Sequence, residues 1–267
     1  MTDLNVTLHK AQMEIFTSPK RFKVASCGRR FGKSYLAAWV LIIKALQSTS
    51  KDVFYVAPTF QQAKDILWSI LKEVGKDVIK SAHENTATLT LVNDRKIYLK
   101  GSDTLRGVGL AYVVMDEYAS MKQEVWEMIL RPTLADVKGE ALFIGTPAGK
   151  NHFYQLWLDA QKEENEEDWE AFQFNSTDNT FLDPKEIEAA RKTMSTQAFR
   201  QEFEATFESF SGGIFKEEWI QYVDDDEFDD YKAKTQGHFV ISVDPAGFEQ
   251  AKKERGLKSS KLDETAI

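Results

Sequence analysis

Residues 24–34 read Val24-Ala25-Ser26-Cys27-Gly28-Arg29-Arg30-Phe31-Gly32-Lys33-Ser34, and a helical pattern follows over residues 35–40. A phosphate-binding loop has this layout: an apolar run, a glycine-containing turn that ends in Gly32-Lys33-Ser34, and then a helix. N–H groups at such a helix N-terminus lack intrahelical partners, and the helix dipole favours an anion there. The stretch therefore predicts a nucleotide site; the alternative is a chance match at a strand–helix junction.

Within this loop, Lys33 is predicted to reach the β- and γ-phosphates and Ser34 to offer its hydroxyl to Mg²⁺. The usual motif has glycine at the position of Cys27, and Gly28 supplies the same backbone freedom one residue later. Cys27, the only cysteine, is expected to be a small loop residue. Gln12, on a predicted helix before the loop, is a candidate to read adenine, or is a plain exposed helical glutamine. The predicted nucleotide-binding set is Gln12, Cys27, Gly28, Arg29, Arg30, Phe31, Gly32, Lys33 and Ser34.

A pair of carboxylates follows the apolar, β-branched run of residues 111–115. Such a run is expected for a strand buried on both faces of a parallel sheet. Asp116 is predicted to bind Mg²⁺, directly or through water, and Glu117 to act as the base that polarises the attacking water. Two solvated acids at a strand end are the alternative.

A third apolar run, residues 141–145, leads into Thr146 and Pro147. If its strand lies beside the strand that ends at Asp116, the Thr146 hydroxyl is placed to sense the γ-phosphate or its water. Taken alone, the sequence Gly145-Thr146-Pro147 indicates only a turn.

Charge is divided unevenly along the chain. Residues 1–100 carry 16 basic and 8 acidic side chains, a net of +8, whereas residues 151–250 carry 8 basic and 24 acidic, a net of −16. A basic half can hold a DNA backbone while an acidic half docks a basic partner or keeps the protein in solution; an uneven solvated surface explains the same counts. No apolar segment is long enough to predict a membrane span, and one cysteine allows no intrachain disulfide.

Strands that alternate with helices predict an α/β three-layer fold with a mainly parallel sheet. Further along the chain, the patterns predict a buried strand at 53–58, a helix at 59–74, a hairpin at 86–91 and 96–100, a helix at 123–130, a strand at 172–174, and two amphipathic lid helices at 184–194 and 196–207. A glycine-containing hinge at 211–213, an acidic linker at 224–230 and a new apolar strand at 238–247 predict a second domain. The chain ends within a strand-like run at 263–267, which suggests a longer parent protein or a truncated product.

Taken together, these motifs resemble those of the large terminase subunit family, the DNA-packaging motors of tailed double-stranded DNA phages. The resemblance covers residues 8–267, and its motifs are residues 28–34, 113–117, 145–147, 175–179, 201–203 and 243–247. It implies a P-loop ATPase domain of the additional-strand, catalytic-glutamate class over residues 1–210, with a small helical lid at about 176–210. A linker at 211–237 and the beginning of a ribonuclease H-like nuclease domain at 238–267 are implied to follow.

By similarity, Arg29 matches the loop arginine that contacts the γ-phosphate, and Thr146 matches the motif that couples hydrolysis to movement. Asp244 matches the first metal-binding acid of the nuclease, with Asp263 a weaker candidate; a complete nuclease domain implies a second divalent metal site. Ring motors can complete one subunit's site with a neighbour's arginine, which is worth about 10³–10⁵ in rate in well-studied phosphoryl transfer. Arg106 and Arg131 are the candidates for that role, or are surface ion-pair residues.

The family further implies ATP and Mg²⁺ as cofactors, and double-stranded DNA, a portal protein, the small terminase subunit and other copies in a ring as partners. It implies the host cytoplasm as the location, with transient docking on the procapsid and no membrane. Two other interpretations fit the motifs. Residues 56–59 and 116–117 also occur in helicase-type ATPases, and a nucleotide-gated clamp without turnover would need the same loop but not Glu117.

Overall fold

The computed structural model describes residues 4–105 and 109–208. Its centre is an eight-stranded sheet in the order β3-β4-β5-β2-β6-β7-β1-β8. The strands are β1 (Phe22–Cys27), β2 (Asp52–Ala57), β3 (Ile79–His83), β4 (Thr88–Leu91), β5 (Lys96–Gly101), β6 (Leu110–Asp116), β7 (Glu140–Gly145) and β8 (Trp169–Phe174). All described strand pairs are parallel except the two made by β4.

The helices cover both faces of this sheet. They are α1 (Lys10–Thr17), α2 (Lys33–Gln47), α3 (Phe60–Val74), α4 (Arg131–Thr133), α5 (His152–Asp159), α6 (Pro184–Thr193) and α7 (Thr196–Phe203). On one face, α1, α2 and α3 bury an apolar layer that includes Leu41 and Leu67. On the other face, Trp126, Leu130 and Phe153 pack against the strands. Because the central strands are buried on both sides, they read as continuous apolar runs. The predicted three-layer α/β fold is confirmed.

Local signals account for several element boundaries. α2 starts directly after Gly32, whose φ of 95° lies in the left-handed region that glycine adopts without strain. α3 starts after Thr59, whose side chain accepts a hydrogen bond from the N–H of Gln62 and so caps the helix. The predicted hairpin is present as β4 and β5, and β5 also pairs in parallel with β2, so the hairpin extends the main sheet.

Some boundaries differ from the sequence-based predictions. Cys27 is the last residue of β1, with a fully buried side chain, and is not part of the loop. The predicted helix over 123–130 is a π-helical turn, Val125–Leu130, that continues into the short α4. α7 ends at Phe203 because Ala205 turns to a φ of 55°, which interrupts the helix predicted to run to residue 207.

Two elements of the structure, β3 and α5, are absent from the sequence-based predictions. Four of the five residues of β3 are exposed, so that strand has no apolar alternation to detect. Arg106, Asp244, Asp263, the linker and the second domain lie outside the described residues, and their roles stay predictions. No helix in the described ranges is long and apolar enough to cross a membrane.

Candidate active site

Three strands end at the same edge of the sheet. β6 pairs with β7 so that Asp116 lies opposite Ile144, and β7 pairs with β1 so that Gly145 lies opposite Ser26. The carboxyl ends of parallel strands meet at one edge, which is where α/β sheets bind ligands. The residues that follow these strands therefore lie together. They are the loop after β1, Glu117 after β6 and Thr146 after β7.

A cavity of about 440 Å³ opens between these strand ends and the lid. Its lining includes the side chains of the predicted site and two residues of α7, namely Arg29, Arg30, Lys33, Glu117, Thr146, Gln201 and Glu202. The Lys33 ammonium donates to the Thr146 hydroxyl at 2.8 Å and to the backbone carbonyls of Gly28 and Cys27 at 3.2 and 3.3 Å. The β1 loop and the end of β7 are thus joined directly by a hydrogen bond.

Unpaired donors lie at the start of α2, where Lys33 lines this cavity. The N–H groups of Gly32, Lys33 and Ser34 have no hydrogen-bond partner within the described residues. Ser34 is half-buried. Three such N–H groups at the N-terminus of a 15-residue helix form an anion-binding cradle.

The lid and the segment after β8 hold the loop from outside. The N–H of Arg29 donates to the Glu202 carbonyl at 2.6 Å, and the Ser176 hydroxyl donates to the Arg29 carbonyl at 2.6 Å. The Asn179 amide donates to the carbonyl of Arg30, which has a strained φ of 62°. Contact with the lid also explains Gly28, where an added Cβ would lie 2.6 Å from the Phe203 carbonyl oxygen.

A second set of contacts holds the loop from the protein interior. Phe31 is fully buried, with its ring stacked on Phe174 and set edge-on against His9. Gln12 is 3% exposed; its amide donates to the Gly32 carbonyl at 2.9 Å and accepts from the His9 N–H at 3.1 Å. Both ends of the Gln12 amide are therefore paired within the chain, and a role in reading adenine stays a prediction.

The two carboxylates occupy different surroundings. Asp116 is 2% exposed, and its oxygens accept hydrogen bonds from the Tyr55 hydroxyl and, at 3.0 Å, from the Glu117 N–H. Burial raises the pKa of Asp116, while the Tyr55 hydrogen bond and the charge of Lys33 oppose that rise. Tyr55 was missed by sequence reasoning, because nothing in a buried strand marks which tyrosine reaches a carboxylate.

Glu117 has a φ of 54°, a left-handed conformation that is uncommon for a glutamate. Its N–H also donates to the Ile144 carbonyl at 2.9 Å, which ties the residue to β7. Burial and the neighbouring charge of Asp116 raise the pKa of Glu117. A carboxylate with a raised pKa at the edge of a cavity is suited to accept a proton from a bound water.

The two described arginine candidates lie in different places. Arg29 lines the cavity, and its guanidinium forms an ion pair with Glu202 of the lid. Arg131 lies with its guanidinium 5.0 Å from the centre of the Phe22 ring, at the opposite end of β1 from the loop. The structure therefore does not bring Arg131 into this chain's own site, and a role toward a neighbouring copy stays a prediction.

Comparison with known proteins identifies relatives of this arrangement. Residues 24–222 match the family described as "Terminase large subunit, T4likevirus-type, N-terminal". The chain is 32% identical over 203 residues to the large terminase subunit of Escherichia phage T5, a match that covers 73% of this chain and 46% of that protein. It is 27% identical over 243 residues to the large terminase subunit of Thermus phage G20c, covering 78% of this chain and 50% of that protein.

A solved structure has the same fold. The large terminase ATPase domain of Thermus phage P74-26 is 26% identical, with a TM-score of 0.65, and the match covers 76% of this chain and 95% of that domain. The chain spans about half the length of the curated relatives it matches. Since the family match extends over well more than half of its residues, the chain belongs to the T4-type large terminase subunit family, in the N-terminal region of that family.

Proposed function

We propose that this chain hydrolyses ATP at the edge formed by β1, β6 and β7, and that the hydrolysis drives double-stranded viral DNA into a procapsid. The observation that carries the proposal is that three unpaired N–H groups at the start of α2 lie next to the cavity that the Lys33 ammonium and the Glu117 carboxylate line. The first two recognise a polyphosphate, and the third can activate a water for attack on it.

The residues take the following roles in this mechanism. The cradle at the start of α2 binds the phosphates, and Lys33 exchanges its contact with Thr146 for the β- and γ-phosphate oxygens. Glu117 accepts a proton from the water that attacks the γ-phosphorus in line with the leaving oxygen. Arg29 stabilises the charge that develops on the γ-phosphate.

Ser34 and Asp116 are the residues that would hold Mg²⁺. The described residues contain no group of three or more His, Cys, Asp or Glu side chains that could hold a metal. A carboxylate and a hydroxyl are hard oxygen donors, which suit a magnesium ion bound mainly by substrate phosphates and waters. Bound Mg²⁺ would neutralise charge on the β- and γ-phosphates.

The lid contacts suggest how phosphate chemistry is converted to movement. In this mechanism the Arg29 guanidinium turns from Glu202 toward the γ-phosphate, whose higher charge attracts it more strongly. ATP binding therefore releases a link to α7, and the Lys33–Thr146 bond is exchanged in the same step. Both changes occur where the loop, β7 and the lid meet.

Family membership and the distribution of charge support a proposal about the partners and the location. The net charge of +8 over residues 1–100 favours contact with DNA phosphates. We infer a ring of copies docked on the portal protein of a procapsid in the host cytoplasm, loaded with DNA by the small terminase subunit. In that ring, Arg131 or Arg106 of one copy completes the site of the next.

ATP turnover with and without double-stranded DNA tests the proposal. Turnover should rise more than linearly with protein concentration, because copies complete one another's sites, and double-stranded DNA should stimulate it. Lys33→Ala should abolish it. Stimulation by single strands alone would instead favour a helicase-type motor, and an absence of turnover at every concentration would contradict hydrolysis by this chain.

Gln12→Leu separates the loop-holding role of Gln12 from an adenine-reading role. Loss of the buried hydrogen bond to the Gly32 carbonyl costs about 1–3 kcal/mol, so ATP, GTP and tripolyphosphate should each bind about 10-fold more weakly. Equilibrium binding measures all three, with Gln61→Leu on the exposed face of α3 as the control. If ATP affinity falls while tripolyphosphate affinity is unchanged, Gln12 reads the base.

Tyr55→Phe tests the support of Asp116. Without the hydroxyl, the pKa of Asp116 should rise further and its orientation should loosen, so the Mg²⁺ concentration for half-maximal turnover should increase about 10-fold. Tyr112→Phe is a matched control, because the Tyr112 hydroxyl is buried on the neighbouring strand with no partner within the described residues. Equal Mg²⁺ requirements for the two variants would contradict the role given to Tyr55.

A further inference from the structure

Gln201 on α7 is a residue of the nucleotide cavity to which the mechanism above gives no role. It is 7% exposed, and it lines the cavity together with Lys33, Glu117 and Thr146. Glutamine is mostly an exposed residue, and a buried glutamine needs hydrogen-bond partners for both ends of its amide. The partners of this amide therefore indicate what Gln201 does.

The oxygen end of the Gln201 amide is paired. It accepts a hydrogen bond from the backbone N–H of Gly149 at 3.1 Å. A backbone N–H can only donate, so this contact fixes which end of the amide is the oxygen. Gly149 lies in the segment that follows β7, shortly after Thr146. Gln201 thus ties the lid to the segment after β7.

The nitrogen end of the Gln201 amide is available to a ligand. Its NH₂ group makes no hydrogen bond with any described residue. It is also not fully enclosed, because the fully enclosed side-chain atoms without a partner in the described ranges are the Trp39 Nε1 and the Tyr112 hydroxyl. The amide nitrogen therefore reaches open space, and the open space that Gln201 lines is the nucleotide cavity.

α7 is held in place without a ligand. Phe199 is 2% exposed and stacks on Phe203, with ring centroids 5.1 Å apart. The Glu202 carbonyl accepts from the Arg29 N–H at 2.6 Å, which fixes the helix against the phosphate-binding loop. Gln201 lies on α7 between Phe199 and Glu202. Its NH₂ group is therefore positioned in advance for what occupies the cavity.

We propose that the Gln201 amide donates a hydrogen bond to a γ-phosphate oxygen of ATP, and that the lid therefore distinguishes ATP from ADP. The proposal rests on the proposed function, since it needs the nucleotide in this cavity. Lys33 and Glu117 approach the γ-phosphate in the mechanism above, and both line the cavity with Gln201. A phosphate oxygen is a charged acceptor, which forms stronger hydrogen bonds than a neutral one.

The two ends of the amide give this contact a consequence for the lid. When ATP binds, Arg29 turns away from Glu202, and α7 loses one link to the phosphate-binding loop. The Gln201 contact replaces that link with one to the phosphate itself. When the γ-phosphate leaves, α7 keeps its bond to Gly149 and loses its hold on the nucleotide. The lid therefore changes its attachment at each step of the ATP cycle.

The test compares the affinities of the full chain for ADP and for AMP-PNP, a non-hydrolysable ATP analogue, in the presence of Mg²⁺. Gln201→Met keeps a similar length without a donor or acceptor. Its affinity for AMP-PNP should fall about 10-fold, the scale of a hydrogen bond to a charged group, and its affinity for ADP should stay unchanged. Gln61→Met, exposed on α3, is the control and should leave both affinities unchanged.

Gln201→Glu separates the two ends of the amide. The glutamate keeps an oxygen that accepts from the Gly149 N–H, but it replaces the NH₂ group with a second, charged oxygen. The ratio of AMP-PNP affinity to ADP affinity should fall at least as far as in Gln201→Met. If this variant instead restores the wild-type ratio, only the contact with Gly149 matters, and the proposal is overturned.

Two further results would count against the proposal, in different ways. If Gln201→Met lowers turnover but leaves the affinity ratio unchanged, the amide acts on the attacking water or on Glu117, and the γ-phosphate contact is overturned. That result leaves the proposed function intact. If the wild-type chain binds neither nucleotide, the proposed function fails and this inference fails with it.

Discussion

The parallel register of β6, β7 and β1 is the constraint on which the rest of the site depends. It places Asp116 opposite Ile144 and Gly145 opposite Ser26, so that the segments that follow the three strands lie side by side. The 2.8 Å bond between Lys33 and Thr146 is possible only in this register. A shift of one residue would turn the buried side chains to the wrong face and separate the groups at the strand ends.

The phosphate-binding loop is held by two sets of contacts, one from the core and one from the lid. The two sets affect the loop in different ways. From the interior, Phe31 and Gln12 belong to the packed core and hold the loop shape before any ligand arrives. From the exterior, Glu202 and Ser176 hold the loop through contacts that a nucleotide can replace or distort. We therefore infer that the core preorganises the loop and that the lid responds to the nucleotide.

Sequence patterns predicted the parts of this site that depend on local chemistry. Apolar runs and turn residues were enough to predict the loop, the strand that ends in Asp116 and Glu117, and the place of Thr146. The further expectations rested on a family resemblance, which the family match confirms. Contacts made across the sheet were not predictable. The contact of Tyr55 with Asp116 depends on register and packing, and β3 has too few buried residues to leave a pattern.

In the proposed mechanism, Glu117 activates water for hydrolysis but is not needed for ATP binding. Glu117→Gln keeps the shape of the side chain and removes its capacity to accept a proton, so the direct measurement is ATP affinity and ATP turnover of this variant. Glu73→Gln, exposed on α3, is the control. We expect an unchanged ATP affinity and a turnover lower by at least about 100-fold, the scale of general-base catalysis. Turnover that survives in Glu117→Gln, or that is lost together with ATP binding, would contradict this mechanism.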